Sequence, residues 1–188
     1  MKSLLSALVT VIFINSFVFS QSSDWSTVKD LESGYRVDFP GEAEKKSSEV
    51  STEKGPLDMY TYSYLDVGGD SSISFMTSYT RYPTEFFPNG LESIEAQRAF
   101  FEGSVNGAVA NLNGKLISNE SFEFNGYPGR HIKIEVVSQG FRYVMIMWSV
   151  LVDYEFYILQ AIGEEDYSDN KNVKRFINSF ELIKTKGN

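Results

Sequence analysis

The residues that could do chemistry are few in this chain. His131 is the single histidine, and cysteine is absent altogether. Without cysteine there is no thiolate nucleophile, no disulfide and no cysteine-built zinc site, and one histidine cannot supply a histidine-rich one. His131 sits in an alternating stretch, on the same side as Lys133 and Glu135, which reads as a strand residue turned to solvent rather than a catalytic base. No nucleophile elbow, phosphate-cradling glycine loop or dinucleotide fingerprint occurs. Two acidic groups could offer oxygen ligands to calcium: Asp66 and Asp70 around Gly68-Gly69, and Glu164, Glu165, Asp166 and Asp169. Neither has the spacing of a calcium loop, and acids before a helix already suit its dipole. No metal and no cofactor is therefore expected. A hydrolase would need two carboxylates roughly 5–10 Å apart in a cleft; Glu135 could supply one, but no spacing marks its partner.

The remaining constellation is aromatic. Tyr60, Tyr62 and Tyr64 alternate with smaller residues, so on a strand all three share one face. Exposed, they would form a platform for a sugar, a peptide or a partner protein. Covered by a helix, they would be core residues with hydroxyls reaching the rim.

The elements that position these groups follow from pattern. Asn125 to Ile162 holds three runs rich in β-branched and aromatic residues, separated by turn signals, and predicts three antiparallel strands. With Ser138-Gln139-Gly140 as a three-residue loop, Ile134 would oppose Val144 and Ile132 would oppose Ile146. A tight turn at Asp153-Tyr154 would set Trp148 against Leu159. Both faces of this meander are apolar, so both need cover, and helices are the usual cover.

Upstream, Tyr35, Val37 and Phe39 alternate with polar residues before Pro40-Gly41. Residues 21–33 read as a polar lead-in with Trp25 and Val28 packed down, and 42–54 as a solvated edge strand or loop. Pro56 to Leu65 and Ser72 to Tyr82 read as a strand pair, and Lys115 to Phe124 as a further strand. Leu91 to Leu112 has helical spacing of Leu91, Ile94, Phe101, Val105, Ala108 and Leu112, ending at Asn113-Gly114. Gly103 and Gly107 lie one turn apart in it, which suggests close approach to another backbone. Tyr167 to Phe180 closes the chain as a helix capped by Ser168 or Asp169, with Val173, Phe176, Ile177 and Phe180 inward.

At the N-terminus, Lys2 precedes the uncharged apolar run Leu4 to Phe19. The run is shorter than the roughly 20 residues of a bilayer span and is followed by Gln21-Ser22-Ser23-Asp24, as in a signal peptide. Residues 1–20 are thus expected to be a cleaved signal, and 21–188 a single exported domain, periplasmic or extracellular, with no stable membrane insertion. The formal charge of −8 becomes −9 on losing Lys2. No basic stripe exists to meet phosphates, which excludes nucleic acid as the expected partner.

The order of parts, from Gly34-Tyr35-Arg36-Val37-Asp38-Phe39-Pro40 through the long helix and Asn125-Gly126-Tyr127-Pro128-Gly129-Arg130 to the final Phe176–Phe180, resembles the PsbP/Mog1-like superfamily of small exported bacterial proteins. The resemblance implies an α+β fold: a central antiparallel sheet of about six to eight strands with the long helix and the C-terminal helix packed on its faces. Known relatives are an extrinsic photosystem subunit and a partner of a nuclear-transport GTPase, so an accessory or binding role, not an enzyme, is implied. Its ligand or partner protein is unnamed by the sequence, and Tyr60, Tyr62 and Tyr64 are the candidate surface. The alternatives are the carboxylate hydrolase or a purely structural envelope protein.

Overall fold

The computed structural model describes residues 25–52, 54–67, 72–164 and 166–183; the segment read as a signal, residues 1–20, lies outside them. In chain order the elements are β1 (Ser26–Asp30), β2 (Tyr35–Phe39), β3 (Glu44–Thr52), β4 (Gly55–Asp66), β5 (Ile73–Arg81), α1 (Ile94–Asn111) and β6 (Lys115–Phe124). There follow β7 (Tyr127–Ser138), β8 (Phe141–Val152), β9 (Glu155–Gly163), α2 (Lys171–Asn178) and β10 (Glu181–Leu182). A seven-stranded antiparallel sheet runs β3-β4-β5-β9-β8-β7-β6, and a three-stranded sheet runs β1-β2-β10. The architecture is α+β, as expected.

The meander is present, with one register corrected. Trp148 does oppose Leu159, and Ile146 opposes Ala161. The β7–β8 loop, however, has two residues, not three: Ser138 pairs with Phe141, Ile134 with Met145 and Ile132 with Met147. Gln139 and Gly140 both take positive φ, 51° and 84°, the conformation a two-residue hairpin matched to strand twist requires. Because β8 is apolar on both faces, Met145 and Met147 serve as well as Val144 and Ile146. The charged residues that now face Val144 and Ile146 find other partners. Glu135 pairs with Arg142 at 2.6 Å and Lys133 with Asp166 at 2.7 Å.

The two faces are covered differently. On one, Val105, Ala108 and Val109 of α1, with its C-cap Leu112, pack on Ile132, Ile134, Met145 and Met147, while Leu91 and Phe101 pack near Leu151 and Phe156. The other face is closed by the small sheet together with α2, not by helices alone. Tyr35, Val37 and Phe39 of β2, with Val173, Phe176 and Phe180, bury Phe75, Tyr157, Leu159 and Ala161. The stretch read as a polar lead-in is β1, paired along its length with β2. Trp25 and Val28 do pack on the core. β3 is the solvated edge strand, exposed at every residue.

Both helices are shorter than their patterns. α1 begins after Ser93, whose hydroxyl accepts from the Ala96 amide, so Ile94 stands at the first turn and is 70% exposed instead of inward. Gly103 and Gly107 face open space and approach no other backbone; the packed stripe is Phe101 and Val105. Asn113, at φ 47°, ends the helix, with the Gly114 amide bonded to Val109 O at 3.0 Å. Gly114 is needed for room: a Cβ there would lie 2.4 Å from Ile134 Cγ2 and 3.0 Å from Glu135 O. α2 is capped by Asn170, not Ser168 or Asp169. Ser168 is instead hydrogen-bonded to Asp166, and Asp169 to Lys174. No helix among the described residues is long and apolar enough to cross a membrane.

Candidate partner-binding face

Strand alternation in β4 puts Tyr60, Tyr62 and Tyr64 on the face that meets the small sheet, and all three are half-buried against its core. Tyr64 lies against Gly41, where an added Cβ would come within 2.4 Å of its ring. Tyr60 leans on Tyr79, with ring centroids 6.4 Å apart. The Tyr62 hydroxyl donates to Asp30 Oδ2 at 3.1 Å.

That carboxylate is the anchor of the face. Asp30 is 5% exposed. Its Oδ1 accepts from the backbone amides of Glu32 at 3.1 Å and Ser33 at 2.9 Å, closing the β1–β2 turn. Lys45, which lies directly across from Tyr62 in the β3–β4 pair, donates to Oδ2 at 3.1 Å. Its ammonium also stands 5.3 Å from the Tyr62 ring and 5.8 Å from the Tyr60 ring, within reach of a cation–π attraction. Burial would raise the Asp30 pKa, but the Ser33 amide, Lys45 and Tyr62 together hold it below the ordinary carboxylate value. The hydrogen bond to Asp30 raises that of Lys45 in return, against burial.

Sequence reasoning missed Asp30 and Lys45. A signal for the first was present: an aspartate two and three residues ahead of amides it can accept, just before Gly34, is an Asx turn. Lys45 could be placed only once the β3–β4 register was known.

A second carboxylate is tied up inside. Glu155 receives the Tyr79 hydroxyl at 3.0 Å and the Tyr157 hydroxyl at 2.9 Å, and Arg81 Nε lies 3.9 Å away. Burial, then the Glu155 charge, pushes both phenols upward, so they stay protonated as donors. This joins the two sheets, since the single Tyr157 hydroxyl proton is shared between Glu155 and Ser33 O, the latter 2.8 Å away.

His131 is not the open surface residue expected. It stacks on Trp148, centroids 4.1 Å apart and planes 10° from parallel. Its Nε2 is buried with no hydrogen-bond partner among the described residues. Burial lowers its pKa, Lys133 adds to this, and Glu120 and Asp166 pull only partly the other way. An NMR titration of the imidazole should therefore find it below its ordinary value. The unfolded chain then binds the extra proton first, so stability falls as pH drops from the ordinary histidine value to the lowered one. His131→Gln should flatten that slope; a midpoint at or above about 6.5 would contradict the assignment.

Among the described residues, no three histidine, aspartate or glutamate side chains gather as metal ligands. Asp66 ends β4, while Gly68, Gly69 and Asp70 lie outside the described residues, as does Glu165. Asp166, although partly desolvated, is held down to about 2 by Lys133 and by the hydroxyl and amide of Ser168.

No protein-family model and no curated protein matches the chain. Among solved structures, the solution structure of cyanobacterial PsbP (CyanoP) from Synechocystis sp. PCC 6803 superposes with a TM-score of 0.53, covering 90% of this chain and 98% of that one. The fold is PsbP-like. At 14% identity the likeness concerns the fold alone. A Pseudomonas aeruginosa protein of unknown function, PA94, aligns at 11% identity with a TM-score of 0.47, over 75% of this chain and 99% of that one. The likeness to CyanoP is one of overall α+β fold. The Asp30–Lys45–Tyr62 cluster sits on it as a feature of this chain's own residues.

Proposed function

We propose that this chain is an exported, non-enzymatic binding or accessory domain that engages a protein along the β3–β4 edge. The observation that carries the reading is a half-buried row of three tyrosines, of which Tyr62 is held by Asp30 and Tyr60 and Tyr62 lie near the Lys45 ammonium, beside a strand with no outer neighbour among the described residues. Aromatic side chains held in one geometry lose little entropy on binding and dominate interfaces. The open edge of β3 offers backbone groups to an added strand. Glu135, the carboxylate a hydrolase would use, is spent on Arg142, which favours the binding reading over the enzymatic one.

Tyr60 is the residue to probe, because Tyr62 and Tyr64 also hold the fold. A photocrosslinking residue at position 60 should capture a discrete partner in the native host, and the same residue at Glu102, exposed on α1, should not. Tyr60→Ser should weaken the isolated complex about tenfold, the loss typical of an interface aromatic, when measured well below the melting temperature, which the lost packing on Tyr79 will itself lower. Equal capture from both positions, or full affinity in Tyr60→Ser, would refute the proposal.

A further inference from the structure

A shallow depression of about 290 Å³, open widely to solvent, lies away from the tyrosine row, between the β3–β4 hairpin end and α1. Its walls are Tyr82, Phe86, Phe87 and Phe100, with Thr52 and Lys54 at the hairpin side. Tyr82 meets Phe87 at 5.7 Å and Phe100 at 5.3 Å between centroids, both edge to face, and Phe87 lies 5.9 Å from Phe100. Phe100 is backed by Phe156, 4.9 Å away and nearly perpendicular. These rings are braced by one another; Tyr82, Phe87 and Phe100 remain partly exposed, while Phe156 behind them is buried.

The only charge among the six lining residues is Lys54. Its ammonium donates to the Phe86 carbonyl and stands 4.8 Å from the Phe87 ring centroid. An ammonium carries three donors, so the hydrogen bond to Phe86 leaves capacity for an anion at the mouth. This cationic, aromatic spot lies in a chain of formal charge −8. Ligand pockets usually run to roughly 300–1,000 Å³; this one falls just below that range, room for no more than a single ring with a short tail. An apolar wall with one positive group selects an apolar body with one negative end.

We infer that this cleft binds a small amphipathic monocarboxylate, the apolar body lying among Tyr82, Phe87 and Phe100 and the carboxylate on Lys54. The site meets the partner edge only at the far end of that hairpin, at Thr52 and Lys54, away from Tyr60, so its failure would leave that proposal standing. The test titrates the full chain with hydrocinnamate, phenylpropanol and phenylpropylamine, which share a ring and differ in charge, while backbone amide shifts are followed. All specific shifts should fall at Thr52, Lys54, Phe87 and Phe100. The acid should bind at least about tenfold tighter than the amine, a difference near 1.4 kcal/mol, and lose that lead as salt is raised. Lys54→Gln, at an exposed hairpin position, should bring the acid level with the alcohol without moving the melting temperature. Phe87→Leu should weaken all three probes. Shifts scattered elsewhere, equal binding of the three probes, or an undiminished preference for the acid in Lys54→Gln would each overturn the inference.

Discussion

Phe176→Ala should cost about 3–5 kcal/mol of folding stability, the range for removing a fully buried phenylalanine. Phe176 is 0% exposed. Its ring lies 5.0 Å from Phe39 and 5.3 Å from Phe75 between centroids, so one side chain joins α2, the small sheet and the large sheet. Truncation opens a cavity that three elements would have to move to fill, and partial collapse is all that close packing allows. Since domains are stable by only about 5–15 kcal/mol, this is a large fraction of the whole. Urea unfolding followed by tryptophan fluorescence measures it. Phe141→Ala is the control: that ring is 61% exposed and should change stability by no more than about 0.5 kcal/mol. Similar losses in the two variants would mean that α2 does not close the core.

Asp30→Ala should be the costliest polar substitution. It strips partners from two turn amides, the Tyr62 hydroxyl and the Lys45 ammonium at once. Lys45 is 44% exposed along its side chain and can turn to water. The loss therefore comes mainly from the amides and the phenol, about 2–3 kcal/mol. Asp30→Asn keeps an oxygen for the turn and should lose less. The pH dependence separates charge from shape. The folded pKa of Asp30 lies below its unfolded value, so its contribution is complete above the unfolded carboxylate value of about 3.9. It drains away as pH falls through the folded one. Wild-type melting temperature should thus drop across that acid window, and Asp30→Asn should drop less steeply. Parallel acid limbs would show that Asp30 is not held as a carboxylate.

How legible these features were depended on what fixes them. The β4 tyrosine row and the Trp148–Leu159 pair follow from period-two alternation, which survives any tertiary detail. The β7–β8 register did not, because β8 is apolar on both sides and the pattern there accepts either parity. Gln139 at positive φ gave no local warning, since glutamine is not a residue that advertises that conformation. β1 was missed for a different reason. Ser26–Asp30 is mostly polar and becomes a strand through pairing with β2, a contact with no sequence period of its own. Lys45 and Asp30 lie 15 residues apart and meet only because two sheets stack. Sequence patterns carry faces well and carry meetings between faces poorly.

The order in which the parts arrive matters too. β2 is among the first strands made, yet its second neighbour, β10, and the Phe176 plug are among the last. A ribosome delivers amino end first, so the greasy underside around Phe75 and Tyr157 waits uncovered until nearly the whole polypeptide has emerged. The latch between Ile183 N and Gly34 O can snap shut only then.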